Sequence, residues 1–135
     1  MTIRVVRDQH APMRHEIHIG RNSLATDLSV EQGGEASGPS PHDLYDAALG
    51  ACKALTVLWY AQHKDIPVQG IEVSVERDAS QERAGIYRLS AALSLTGDLS
   101  AAQREELLRV AQKCPIHKLM TEVTTEIATS LSPAA

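Results

Sequence analysis

The chain has 135 residues, a formal charge of −4, one Trp, three Tyr and no Phe. That length accommodates one hydrophobic core, so a single domain over residues 1–135 is expected. An acidic chain poor in aromatic residues lacks both the basic footprint and the stacking platform of nucleic-acid binders. The N-terminus is charged from Arg4 onward, which offers no signal-peptide pattern, and the apolar run from Ala54 to Ala61 is far too short for a membrane span. A soluble cytoplasmic protein with no membrane partner is expected.

In chain order, Ile3 and Val5 alternate with Arg4, and Ile17 and Ile19 flank His18, so the first 30 residues read as short half-buried strands. A Gly-rich loop over Gln32 to Pro39 follows. Ser40 is a ready N-cap, Pro41 suits the first helical position, and Asp43 completes a capping-box spacing, which predicts a long helix to about Lys64. On a helical wheel Tyr45, Cys52 and Trp59 align, with Ala48, Leu49, Leu55 and Thr56 beside them, and this face is expected to meet the core. Ile71, Val73 and Val75, then Tyr87, Leu89, Ala91, Leu93 and Leu95, alternate with mostly polar neighbours as in a hairpin. Ser100 and Gln103 open a second helix carrying Leu107, Ala111 and Cys114 at helical spacing. Pro115 stops that helix and can begin another, and Val123, Ile127 and Leu131 read as a last strand. Strands, helix, strands, helix, strand make an α+β fold with antiparallel sheet packed on helices. So long a helix is hard to cover with so little chain, which makes a dimer plausible.

Cys52 and Cys114 are the only cysteines, 62 positions apart, too few for a disulfide framework. Each is either a small buried hydrophobe or a working thiol. Cys52 lies about three turns into its helix, beyond the reach of the N-terminal dipole, so a cation elsewhere in the fold must favour its thiolate. Arg4, Arg7, Arg14 and Arg21 on the N-terminal strands are the candidates. Cys114 stands between the carbonyl end of one helix and the N–H end of the next, which push its pKa in opposite directions. Cys114 and His117 have a two-residue gap, but a closed zinc site normally shows a second such pair and none is present, so no metal is expected. His10, His15 and His18 read as solvated residues on exposed strand edges, His63 sits at a helix end, and His42 reads as a solvated first-turn side chain.

Taken together, Gly33-Gly34 before Gly38-Pro39, Ser40-Pro41-His42-Asp43-Leu44, Ala47-Ala48-Leu49-Gly50-Ala51-Cys52, Gly97-Asp98-Leu99 and Cys114-Pro115-Ile116-His117-Lys118 resemble the OsmC/Ohr family, the osmotically inducible and organic hydroperoxide resistance proteins. The Gly-Gly and Gly-Pro spacing and the Cys-Pro-Ile-His segment look closest to its OsmC-like branch. The resemblance implies an intertwined homodimer and a thiol peroxidase that uses no cofactor. On that template Cys52 is the peroxidatic thiolate and Cys114 the resolving thiol, and an external dithiol reduces their disulfide. Arg21 would be the activating arginine, and Tyr45, Leu55 and Trp59 would wall an apolar pocket for an organic hydroperoxide. Peroxidases of the family carry a glutamate just after the helix-start proline, where this chain has His42 followed by Asp43. That departure keeps a second function open: a non-enzymatic protein of the same fold that binds a small apolar ligand or an electrophile.

Overall fold

The computed structural model describes residues 1–133. Five strands and three α-helices follow in the order β1 (Ile3–Arg7), β2 (His15–Ile19), β3 (Asn22–Thr26), α1 (Pro41–His63), β4 (Gly70–Asp78), β5 (Arg88–Thr96), α2 (Ala101–Ala111) and α3 (Pro115–Thr121), with short 3-10 turns at Val30–Gln32 and Glu82–Ala84. The α+β composition, the antiparallel N-terminal sheet and the long helix agree with the sequence reading. No helix among the described residues is long and apolar enough to cross a membrane.

The chain divides into two compact units, one of Met1–Gly50 with Ser74–Ala92, the other of Ala51–Val73 with Leu93 onward, and the boundary passes through α1 and the β4–β5 hairpin. In the first unit the strands run in the order β1-β2-β3, with Val5 opposite Ile17 and Ile17 opposite Leu24. Residues paired across a sheet share a face, so Ile17 collects the apolar side chains of both neighbours and is the buried residue of the sheet. β2 is thus the central strand, and His15 and His18 are half-buried rather than solvated on an edge. β1 and β3 are the edge strands, and all five residues of β1 are exposed, against the half-buried expectation.

Asp27 organises the Gly-rich loop after β3. Its carboxylate accepts hydrogen bonds from the backbone N–H of Leu28, Glu35 and Ser37 and from the Ser37 hydroxyl. These bonds, led by the Ser37 hydroxyl, lower its pKa to about 2. The loop closes so tightly that a Cβ on Gly34 would stand 2.2 Å from the Leu28 carbonyl oxygen, so only glycine fits there. This locks the approach to α1. The helix then starts as its sequence predicts, with the Asp43 N–H donating to Ser40 Oγ and the Ser40 N–H donating to Asp43 Oδ2.

In the second unit Val57, Ala61, Ile66, Leu107 and Ala111 form the core, with Ile71, Leu93 and Leu95 of the hairpin packed against it. Ser100 and Gln103 make the reciprocal capping box at the start of α2. Leu107, Ala111 and Cys114 are all buried, as their helical spacing predicts.

Two expectations are corrected. The stripe of α1 that faces inward is Asp46, Leu49, Gly50, Lys53, Val57 and Ala61. The stripe expected to be buried is largely outside: Tyr45 is 49 %, Leu55 67 % and Trp59 60 % exposed. Both faces of α1 are rich in apolar residues, so the wheel alone does not choose between them, and Asp46 and Lys53 make the buried one look polar. The last strand is also absent. Residues 124–133 carry no regular structure, and Ile127 and Leu131 are exposed. Alternation gives a segment strand character, but a strand also needs an edge to pair with, and this segment pairs with none among the described residues.

Candidate active site

Each thiol is positioned by a helix. Cys52 projects from the middle of α1, while Cys114 is the residue before α3, held in extended backbone by the proline that follows. The backbone N–H of Ile116 donates to Cys52 Sγ at 3.4 Å, which sets Cys52 directly beside the Cys114-Pro115-Ile116 turn. Cys52 Sγ is also 3.8 Å from Thr56 Oγ1, one turn on. Two thiols 62 positions apart in the sequence therefore share one site.

Their surroundings differ. Cys52 is partly exposed, whereas Cys114 is fully buried. Burial raises the Cys114 pKa above the ordinary thiol value; a hydrogen bond from the His117 backbone and the charge of Lys53 pull it down, and Cys52 pushes it further up. Burial is the largest influence and outweighs the backbone donor, so the Cys114 pKa is raised.

Sequence reasoning missed one side chain here, and the partner of another, His117. Lys53, next to Cys52, is only 5 % exposed. Its Nζ donates to the Ala111 carbonyl at 2.8 Å and to His117 Nδ1 at 3.0 Å. The signal that could have revealed it is spacing: Lys53 lies four residues before Val57 and eight before Ala61, on the stripe that packs inward. His117 Nδ1 is occupied by this bond.

The first unit holds a polar network of its own. Arg77 on β4 donates through Nε to Asp46 at 2.6 Å and through its guanidinium to Asp43, and Tyr87 donates its hydroxyl to Asp46 at 2.7 Å. Burial, then the Asp46 carboxylate, raise the Tyr87 pKa to about 12, so the phenol remains a donor. Asp43 therefore engages an arginine, but one from β4 that the sequence reading did not consider. His42 is exposed in the first turn, as expected, and in addition its Nε2 is 2.6 Å from Glu82 and its ring meets the edge of Tyr87. Pro41, His42, Tyr45, Glu82 and Tyr87 line a cleft of about 410 Å³. Of the three residues expected to wall a substrate pocket, Tyr45 lines this cleft, Leu55 is exposed, and Trp59 is exposed and stacked on His63. Arg21 is exposed in the turn between β2 and β3. Arg14 is tied to Glu16, Asp8 and the Ser37 carbonyl.

The fold and the adjacent thiols define an α+β protein with a paired-cysteine site. It belongs to the OsmC-like protein family, whose family model matches residues 33–128. Solved structures agree in fold. An OsmC-like protein from Mycoplasma pneumoniae is 18% identical, with a TM-score of 0.72 over 90% of this chain and 87% of that one. The organic hydroperoxide resistance protein OsmC from Legionella pneumophila is 22% identical, with a TM-score of 0.63 over 90% of each chain. The organic hydroperoxide resistance protein OhrB of Bacillus subtilis is 23% identical, with a TM-score of 0.58 over 90% of this chain and 92% of that one. No curated protein matches the sequence.

Proposed function

We propose that the protein is a dithiol peroxidase that reduces organic hydroperoxides. The observation that carries this reading is the pairing of a partly exposed Cys52 with a buried Cys114 at one site, joined through the Ile116 N–H. The two structural neighbours named organic hydroperoxide resistance proteins support the choice of substrate class. Cys52 thiolate attacks one peroxide oxygen, the O–O bond breaks, and the departing alkoxide takes a proton to leave as alcohol. This oxidises Cys52 to a sulfenic acid. The Cys114 thiol then attacks the sulfenic sulfur, water leaves, and a Cys52–Cys114 disulfide forms, which an external dithiol reduces back to two thiols. Unequal exposure suits these roles, because the attacking sulfur must meet the peroxide and the resolving sulfur need only meet its partner. The test is catalytic turnover: peroxide consumption should continue only while a dithiol is supplied, and consumption at the rate of buffer alone contradicts the reading.

The working form is a homodimer in this account. It is supported by Leu55 and Trp59 on α1 and by Ile127 and Leu131 beyond α3, apolar side chains that the single chain leaves exposed. The cleft lined by His42, Tyr45 and Tyr87 favours a second reading, in which the protein binds a small apolar ligand without turnover.

A further inference from the structure

A lysine buried in a protein interior is expensive unless its charge is balanced. Lys53 is 5 % exposed, and no carboxylate pairs with it among the described residues. Its two hydrogen-bond partners are the Ala111 carbonyl and His117 Nδ1, neither of them a carboxylate. The ammonium has three donors, and these two bonds use two of them. Lys53 follows Cys52 on α1, and its two partners, Ala111 and His117, flank Cys114 three residues to either side; Ile116, next to His117, donates to Cys52 Sγ. The ionisable groups acting on Cys114 are Cys52 and Lys53, with the His117 backbone N–H as a further donor. Among the described residues the thiols are thus the acidic groups whose setting includes Lys53.

We propose that Lys53 is the cation that maintains one thiolate in the Cys52–Cys114 pair, with His117 as the positioning residue that pins the ammonium beside it. Ala111 ends α2, so its carbonyl belongs to the negative end of that helix and helps to hold the ammonium. Lys53 and the two thiols lie within the same compact unit, built from residues 51–73 and 93 onward. The assignment deepens the peroxidase reading, on which its biological purpose rests, but thiol ionisation is measured without any peroxide.

The test is the pH profile of iodoacetamide alkylation at Cys52 in a Cys114→Ser background, with Lys53→Met, Lys53→Arg, His117→Ala and Arg21→Met added singly. Lys53→Met should raise the alkylation midpoint by about one pH unit or more, since an adjacent opposite charge shifts a pKa by roughly that much. Lys53→Arg should restore a midpoint near that of the parent, a rescue that a purely structural role would not produce. His117→Ala should give a smaller rise, and it keeps the test decisive should Lys53→Met fail to fold. Arg21→Met should leave the midpoint in place. The proposal is overturned by an unchanged midpoint in folded Lys53→Met, by an unchanged midpoint in His117→Ala, or by a rise confined to Arg21→Met. A parent protein that shows the Lys53-dependent midpoint yet consumes no peroxide would refute the peroxidase and leave the role of Lys53 standing.

Discussion

Cys52 is partly exposed and Cys114 buried, and the proposed roles of attacking and resolving thiol rest on that difference. Replacing Cys52 with Ser should abolish peroxide consumption, whereas Cys114→Ser should allow one turnover and leave a sulfenic acid that dimedone traps. A trapped sulfenic acid in Cys52→Ser, with Cys114→Ser inert, would reverse the roles. Asp27 carries a separate prediction. Its folded pKa of about 2 lies below the ordinary 3.8, so its hydrogen bonds stabilise the fold above about pH 4 and are lost as the pH falls from there toward 2. Ser37→Ala removes the leading cause of that depression. Carbon-detected NMR titration should then find the Asp27 carboxyl closer to 3.8 and acid unfolding at a higher pH; an unmoved titration would show that the backbone donors alone suffice. At this scale the sequence exposed the thiols, because cysteine is rare and its neighbours distinctive. It concealed Lys53 and Arg77 and the partner of His117, which depend on contacts with residues 31 or more positions away. Charged residues in an apolar stripe look like errors of phase until their partners are seen.

Among the elements, the two capped helices were the most legible, because a capping box is a local hydrogen-bond pattern written within four residues. Ser100→Ala removes the oxygen that accepts the Gln103 N–H and should destabilise the protein by about 1 kcal/mol in urea titration. Leu107 is fully buried in the core of the second unit, so Leu107→Ala should cost about 2–5 kcal/mol, with a loss under 1 kcal/mol showing that the core is looser than its burial implies. The hairpin was equally readable from the alternation of Ile71, Val73 and Val75 with polar residues. Orientation and pairing were less so. The face of α1 was misread because Leu55 and Trp59 are as apolar as Val57 and Ala61, and periodicity gives a helix its stripes without saying which one the rest of the chain covers. The segment from Val123 to Leu131 was misread for a related reason: alternation was present but a pairing edge was not.

For the whole molecule, family membership followed from short motifs scattered between Gly33 and Lys118, which fall within the matched span of residues 33–128. Assembly and redox state remain the properties that one chain's sequence expresses least, because both depend on a second reactant. Exposed Leu55, Trp59, Ile127 and Leu131 lead us to expect a homodimer at micromolar concentration. Light scattering that returned 14.6 kDa throughout a dilution series would contradict it. Oxidation should stabilise the molecule, since a Cys52–Cys114 bond would close a loop of about 60 residues and disfavour the unfolded chain by up to about 4 kcal/mol in the chain-entropy model. Calorimetry of both redox forms should show the oxidised protein melting higher, and a lower melting point would mean that strain in the disulfide exceeds the entropic gain. If the paired cysteines reduce peroxide together, counting free thiols before and after one equivalent of cumene hydroperoxide will reveal it. Both thiols of each chain should be lost rapidly and restored by dithiol, with peptide mapping joining Cys52 to Cys114; two thiols remaining after treatment would rule out a dithiol peroxidase.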